Sequence, residues 1–211
     1  MGDYYTPFEE WPKELQEEYT YDPERARQLL AEAGYPDGFK TNVVIGPGNA
    51  DLSQIMQTYL ADIGIDMEIK VMEPAVWFSY VYVFHKHDQM ELGFGAAAWA
   101  SEPHPWLGAF STGHMLNSQM ISDPVYDEML KYARIDEQGN PLPEEEVVRR
   151  AKEMDMYIMK QHWTIQSPIR FSYILYQPWL KGYSGESWMR CVGQQYSRWW
   201  IDHDIKKAMG Y

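Results

Sequence analysis

Between Asn42 and Val71 the spacing of apolar residues changes twice, and this pattern restricts the fold more than any other part of the chain. Asn42 to Ile45 is a short strand-like run that ends in Gly46-Pro47-Gly48-Asn49. From about Asp51 to Ile63 the apolar positions are Leu52, Ile55, Met56, Tyr59, Leu60 and Ile63, the spacing of one helix face. Gly64 ends that helix, and Ile65, Met67, Ile69 and Val71 then alternate as strand residues do, over a strand from Asp66 to Val71. Strand, helix and strand in so short a stretch predict a βαβ unit with a parallel pair and a right-handed crossover.

The flanking segments extend this α/β reading. At Asp22-Pro23 a carboxylate accepts the free N–H groups of a first helical turn, and a proline occupies the position where its missing N–H costs nothing. Ala26, Leu29, Leu30 and Ala33 form the stripe predicted to be buried, and Gly34 supplies a left-handed stop. Asp123-Pro124 repeats the device and opens a helix through Val125, Met129, Leu130 and Ala133. A long amphipathic helix is expected from Pro143 to about Gln161, with Glu144 to Glu146 at its positive end. Trp77 to Phe84 reads as helical and Glu91 to Trp99 as a buried strand. Residues 101–122 look like one long loop, and 164–176 look strand-like with an interruption at Pro168. The first twenty residues, broken by Pro7 and Pro12, read as an irregular arm, and Ile201 to Met209 as a short helix.

Composition removes several classes of function. A net charge of −13 leaves no basic footprint for nucleic acid, and it argues against docking on anionic lipid headgroups. The single cysteine, Cys191, excludes an internal disulfide and a Cys-based zinc site. The start of the chain has neither the basic nor the apolar region of a signal peptide. The longest apolar runs, such as Gly93 to Ala100, are too short to span a bilayer.

Catalytic patterns are weak. His85-Lys86-His87-Asp88 offers ligands for a metal-dependent hydrolase, but it sets a lysine charge beside the proposed cation, and an exposed polar turn is the simpler reading. Gly182-Tyr183-Ser184-Gly185 lacks the spacing of a nucleophile elbow, and Gly46-Pro47-Gly48 lacks the lysine of a phosphate loop. No enzyme activity, cofactor or metal is therefore expected. A surplus of aromatics with a polar tip, 9 Trp and 16 Tyr, suits either a wet cleft or an aromatic interface in a structural interaction domain. The stretch best suited to binding is Trp99-Ala100-Ser101-Glu102-Pro103-His104-Pro105-Trp106, just past the expected buried strand, where open α/β sheets place their ligand crevices. Trp99, Glu102, His104 and Trp106 are the candidate ligand-binding residues.

The run Tyr21-Asp22-Pro23-Glu24-Arg25-Ala26-Arg27-Gln28-Leu29-Leu30-Ala31-Glu32-Ala33-Gly34-Tyr35-Pro36-Asp37-Gly38-Phe39 resembles a motif of the family-five extracellular solute-binding proteins of ABC importers. That family includes oligopeptide-, dipeptide- and nickel-binding members. Leu60-Ala61-Asp62-Ile63-Gly64-Ile65 and Ser122-Asp123-Pro124-Val125-Tyr126-Asp127-Glu128-Met129-Leu130 follow in the family's order. The resemblance covers roughly residues 19–180. It implies a type II periplasmic-binding-protein-like lobe, a mixed sheet flanked by helices, made from the later half of a longer protein whose N-terminal lobe is missing here. The expected organisation is an arm at 1–20, the lobe at 21–178 and an aromatic tail at 179–211 packing on it. In peptide-binding members an Asp three residues after a Trp holds the ligand's α-amino group, and Glu102 matches that position after Trp99, with one more methylene. The resemblance also implies a small, peptide-like solute, an ABC permease as partner, and an extracellular or periplasmic location with a membrane anchor.

Overall fold

The computed structural model describes residues 4–93, 104–165, 175–183 and 198–211, the side chains of His104 and Pro105 excepted. The chain divides into two compact units, Met1–Thr164 and Ile165–Tyr211.

The first unit is built on a three-stranded parallel sheet. Strand β1 (Phe39–Ile45) lies between β2 (Ile65–Val71) and β3 (Met90–Leu92), in the order β2-β1-β3. β1 begins three residues before the expected Asn42, because Phe39 pairs with Ile65 and Ile45 with Val71 along the whole of β2. The strands enter through two turns in glycine contact. At Gly38, which has φ of +76°, a Cβ would stand 1.8 Å from the Gly64 carbonyl oxygen, so only glycine fits.

Successive residues of β1 face opposite sides of the sheet, and each side has its own helical cover. Val43 and Ile45, with Met67 of β2, pack against Met56 and Leu60 of α3 (Ala50–Asp62). Val44 packs on the other face against Trp77, Val81 and Tyr82. Those three belong to α4 (Pro74–Phe78) and the π-helical turn Ser79–Val83 that continues it. α4 starts earlier than the expected Trp77 because the Glu73 carboxylate accepts the N–H groups of Ala75 and Val76, at 3.0 and 3.1 Å. With α3 on one face and α4 on the other, the sheet is doubly wound. Burying each large side chain this way stabilises the fold by about 1.5–3 kcal/mol.

Residues 104–164, with the N-terminal segment, form a helical layer. The expected loop over 101–122 is instead partly helical: α5 (His104–Leu107) runs into a 3₁₀ turn at Gly108–Phe110. Leu107, Ala109 and Phe110 are buried there, and this burial favours the compact turn over an extended loop. After it, the buried Asn117 organises the chain, donating to the carbonyls of Ser111 and Ile121 and accepting from the Ile121 N–H. α6 (Pro124–Lys131) and α7 (Glu144–Gln161) follow as expected. Tyr126 of α6 is fully buried, and its hydroxyl donates to the Leu107 carbonyl at 2.7 Å.

Two expectations need correction. The first twenty residues contain helix α1 (Lys13–Glu18), which is anchored by the buried Leu15 and by the Tyr19 hydroxyl donating to the Met159 carbonyl. Helix α2 (Pro23–Glu32) forms with the Asp22 cap as predicted, yet none of its residues is buried and Leu29 is 48% exposed. Its apolar stripe is present, but Ala26 and Leu30 are only half-buried and Leu29 faces outward.

In the second unit Leu180–Lys181 (β4) pairs antiparallel with Trp200–Ile201 (β5), followed by α8 (His203–Ala208), which Asp202 caps. Of the strand expected from Glu91 to Trp99, Glu91 and Leu92 lie in β3 (Met90–Leu92), Gly93 follows it, and 94–99 lie outside the described residues. Residues 166–174 of the strand expected at 164–176 lie outside them too.

Candidate ligand-binding site

The topology defines one crevice. From β1 the chain crosses over α3 to β2 on one side, and from β2 it crosses over α4 to β3 on the other. The carboxyl ends of β1 and β3 are therefore the point where the winding reverses, the place where open α/β sheets bind ligands. The loop leaving β1, Gly46-Pro47-Gly48-Asn49, forms one wall, and the exit of β3 at Leu92-Gly93 forms the other.

A hydrogen bond ties the two walls together. Asn49 Nδ2 donates to the Leu92 carbonyl at 3.0 Å, while the Asn49 carbonyl accepts from the fully buried Ser53 hydroxyl at 2.9 Å.

Behind the β3 exit lies a polar cluster on apolar walls. Glu91 Oε1 accepts from the Ser118 hydroxyl at 2.9 Å. Burial pushes the Glu91 carboxyl above the usual range, and hydrogen bonding from Ser118 and Tyr82 opposes that shift. Burial likewise raises Tyr82, and the neighbouring Glu91 charge adds to it. These groups close over Gly93, where a Cβ would come within 2.7 Å of Glu91 Oε2, Trp77 Cζ2 and Tyr82 Oη. Gly93 is thus required by close approach, and from it the chain enters the segment that carries Trp99 and Glu102.

Of the four predicted ligand residues, Trp99 and Glu102 lie outside the described residues. His104 opens α5, and its side chain is not described. Trp106 sits on α5 against the helical layer. Its ring stacks on Tyr5 at 6.1 Å between centroids and meets the edge system of Phe110 at 5.6 Å. Burial raises the Tyr5 hydroxyl, with Trp106 opposing and the Asp155 charge adding to the shift.

The histidine pattern does not assemble a metal centre. His87 Nε2 lies 2.8 Å from the Ser118 carbonyl, an acceptor only, so that nitrogen carries the proton. Asp88 faces the Asn42 amide at 3.3 Å, and His85 is the left-handed residue that closes the π turn. Among the described residues no three His, Cys, Asp or Glu side chains are grouped to hold a metal. Sequence reasoning did not single out Asn49, Glu91 or Ser118. For Glu91 there was a usable signal, an acid between Met90 and Leu92 at the start of an apolar run.

A doubly wound α/β lobe with a crevice at its switch point is the architecture of the type II periplasmic binding proteins, and the comparisons agree. The family model for bacterial extracellular solute-binding proteins, family 5 Middle, matches residues 3–115, and the chain belongs to that family. It is 30% identical over 128 residues to a heme-binding protein A of Haemophilus influenzae, an alignment covering 56% of this chain and 23% of the relative. To a dipeptide-binding protein of Pseudomonas aeruginosa it is 28% identical over 176 residues, 78% of this chain and 31% of that one. A putative peptide-binding protein of Clostridium difficile shares the fold with a TM-score of 0.66 at 22% identity, over 91% of this chain and 39% of its own. The chain thus spans well under half the length of each of these proteins.

Proposed function

We propose that this chain is the ligand-capturing lobe of a longer substrate-binding component of an ABC importer, and that it takes a small peptide-like solute at the crevice between β1 and β3. The carrying observation is the switch point itself, bridged by Asn49 and Leu92 at 3.0 Å, from which the chain leads directly into the Trp99–Trp106 stretch. In this reading the ring of Trp99 stacks on the solute, Glu102 holds a cationic group such as an α-amino group, and His104 adds a polar contact, while Trp106, against Tyr5 and Phe110, anchors the end of the stretch to the helical layer. Pre-formed apolar pockets with a few convergent polar groups bind solutes of this size. The names of the dipeptide-binding and glutathione-binding relatives favour a peptide-like ligand.

Function follows by domain closure. The solute joins this lobe to a second one supplied by the rest of the protein, and the closed form docks on a membrane permease. The protein works outside the cytoplasmic membrane, anchored to it, and performs no chemistry on its cargo.

A thermal-shift screen of the longer protein against peptides, sugars and metal ions tests this. A ligand at 100 times its Kd stabilises the fold by about 2.7 kcal/mol, a clear rise in melting temperature. Stabilisation by short peptides is expected. Stabilisation by sugars or metal ions alone would replace the peptide reading.

A further inference from the structure

The crossover from β2 to β3 carries a feature that the crevice does not use. Ala75, Val76, Ser79, Tyr80, Phe84 and Lys86 line a groove of about 390 Å³. None of the six belongs to the crevice between β1 and β3.

Two backbone irregularities build this groove. The turn Ser79–Val83 is π-helical, with the Phe84 N–H donating to the Ser79 carbonyl at 2.9 Å. The extra residue in that turn carries Phe84 away from the sheet-facing row of Trp77, Val81 and Tyr82, and leaves its ring 61% exposed. His85 then takes a left-handed φ of +45°, and the Lys86 N–H donates to the Tyr80 carbonyl at 2.9 Å. Together they return Lys86 over the Phe84 ring, with Nζ 5.3 Å from its centroid. A π turn and a left-handed non-glycine residue side by side are costly, and both concentrate at functional sites.

The lining also states a ligand chemistry. Its walls are apolar, with Val76 56% exposed beside Phe84. The one charged residue among the six is Lys86, and among the described residues it forms no ion pair. In a chain of net charge −13 a cation without an acid partner, standing over an apolar floor, complements a molecule with an apolar body and one negative end. The volume is at the low end of the range for ligand pockets, which suits one or two amino-acid residues rather than a macrocycle.

We propose that this groove is a second binding site, which takes an apolar carboxylate such as the C-terminal residue of a hydrophobic peptide, side chain against Val76, Tyr80 and Phe84 and carboxylate on Lys86. It does not depend on the crevice being the principal site.

The test is an NMR titration of the 211-residue chain with N-acetyl-phenylalanine, using N-acetyl-phenylalaninamide and acetate as controls. Saturable shifts confined to residues 75–86 are expected, with the amide and acetate each weaker. Lys86→Met should weaken the acetyl-amino acid about fivefold, the size of an exposed ion pair, and bring its affinity to that of the amide. Trp99→Ala should leave this titration unchanged, which separates it from the crevice. Unsaturable shifts, equal affinity in Lys86→Met, or shifts that follow protein concentration rather than probe would overturn the proposal, the last by showing a second copy of the chain on this face.

Discussion

The side-chain amide of Asn49, at the end of the loop that leaves β1, donates to the main-chain carbonyl of Leu92, the last residue of β3, at 3.0 Å. The two residues are separated by the whole of α3, β2 and α4, yet they meet where the winding of the sheet reverses. That contact links the loop leaving β1 to the exit of β3. Replacing Asn49 with Ala should therefore cost about 1 kcal/mol of stability in urea unfolding, and solute affinity should fall with it. Full affinity in Asn49→Ala would show that the two walls are held apart by something else.

Gly93→Ala should be more severe. The added methyl group meets Glu91, Trp77 and Tyr82 at 2.7 Å, and the Trp77 ring is 2% exposed and has no room to withdraw. Overpacking of this kind costs about 1–3 kcal/mol. Near-UV circular dichroism should register the displaced indole, and an unchanged spectrum with unchanged stability would contradict the packing described.

Asp155 of α7 is 6% exposed, faces the aromatic groups of Tyr5, Tyr19 and Tyr126, and meets no hydrogen-bond donor among the described residues. Burial lifts its carboxyl to about 6. Because the folded state holds the proton more tightly than the unfolded chain, this group favours folding at low pH, and that contribution is lost as pH rises through about 6. From 3.8 to about 6 is about two pH units, so the ceiling is about 3 kcal/mol. Asp155→Asn should raise stability at pH 7.5 and change it little at pH 4. Equal effects at both values would remove the buried charge from the account.

Local chemistry was legible in the sequence. The Asp22-Pro23 and Asp123-Pro124 caps, the Gly64 stop and the period changes from Asn42 to Val71 act within a few residues, and the structure has helices and strands where they fall. What was not legible depends on partners far along the chain. Leu15 forms a helix within a proline-broken arm because a pocket against α7 awaits it, and Leu107 and Phe110 turn an expected loop into helix for the same reason. The π turn after α4 depends on how Trp77, Val81 and Tyr82 meet Val44, which periodicity does not encode. Helix α2 shows the reverse, an apolar stripe read from the sequence of which no residue is fully buried among the described residues. At the site, residues 99–103 of the expected binding stretch lie outside the described residues, and the Glu91–Ser118 bond joins residues 27 apart, beyond the reach of local patterns.

The most direct test of a peptide-like solute at the crevice is calorimetric titration of the longer protein with a short peptide and with its N-acetylated form, repeated in Glu102→Gln. If Glu102 holds the α-amino group, the free peptide binds about tenfold or more tightly than the acetylated one, as expected for a charge-assisted hydrogen bond, and Glu102→Gln abolishes the difference. Equal binding of the two peptides, or a preference that survives in Glu102→Gln, would contradict it.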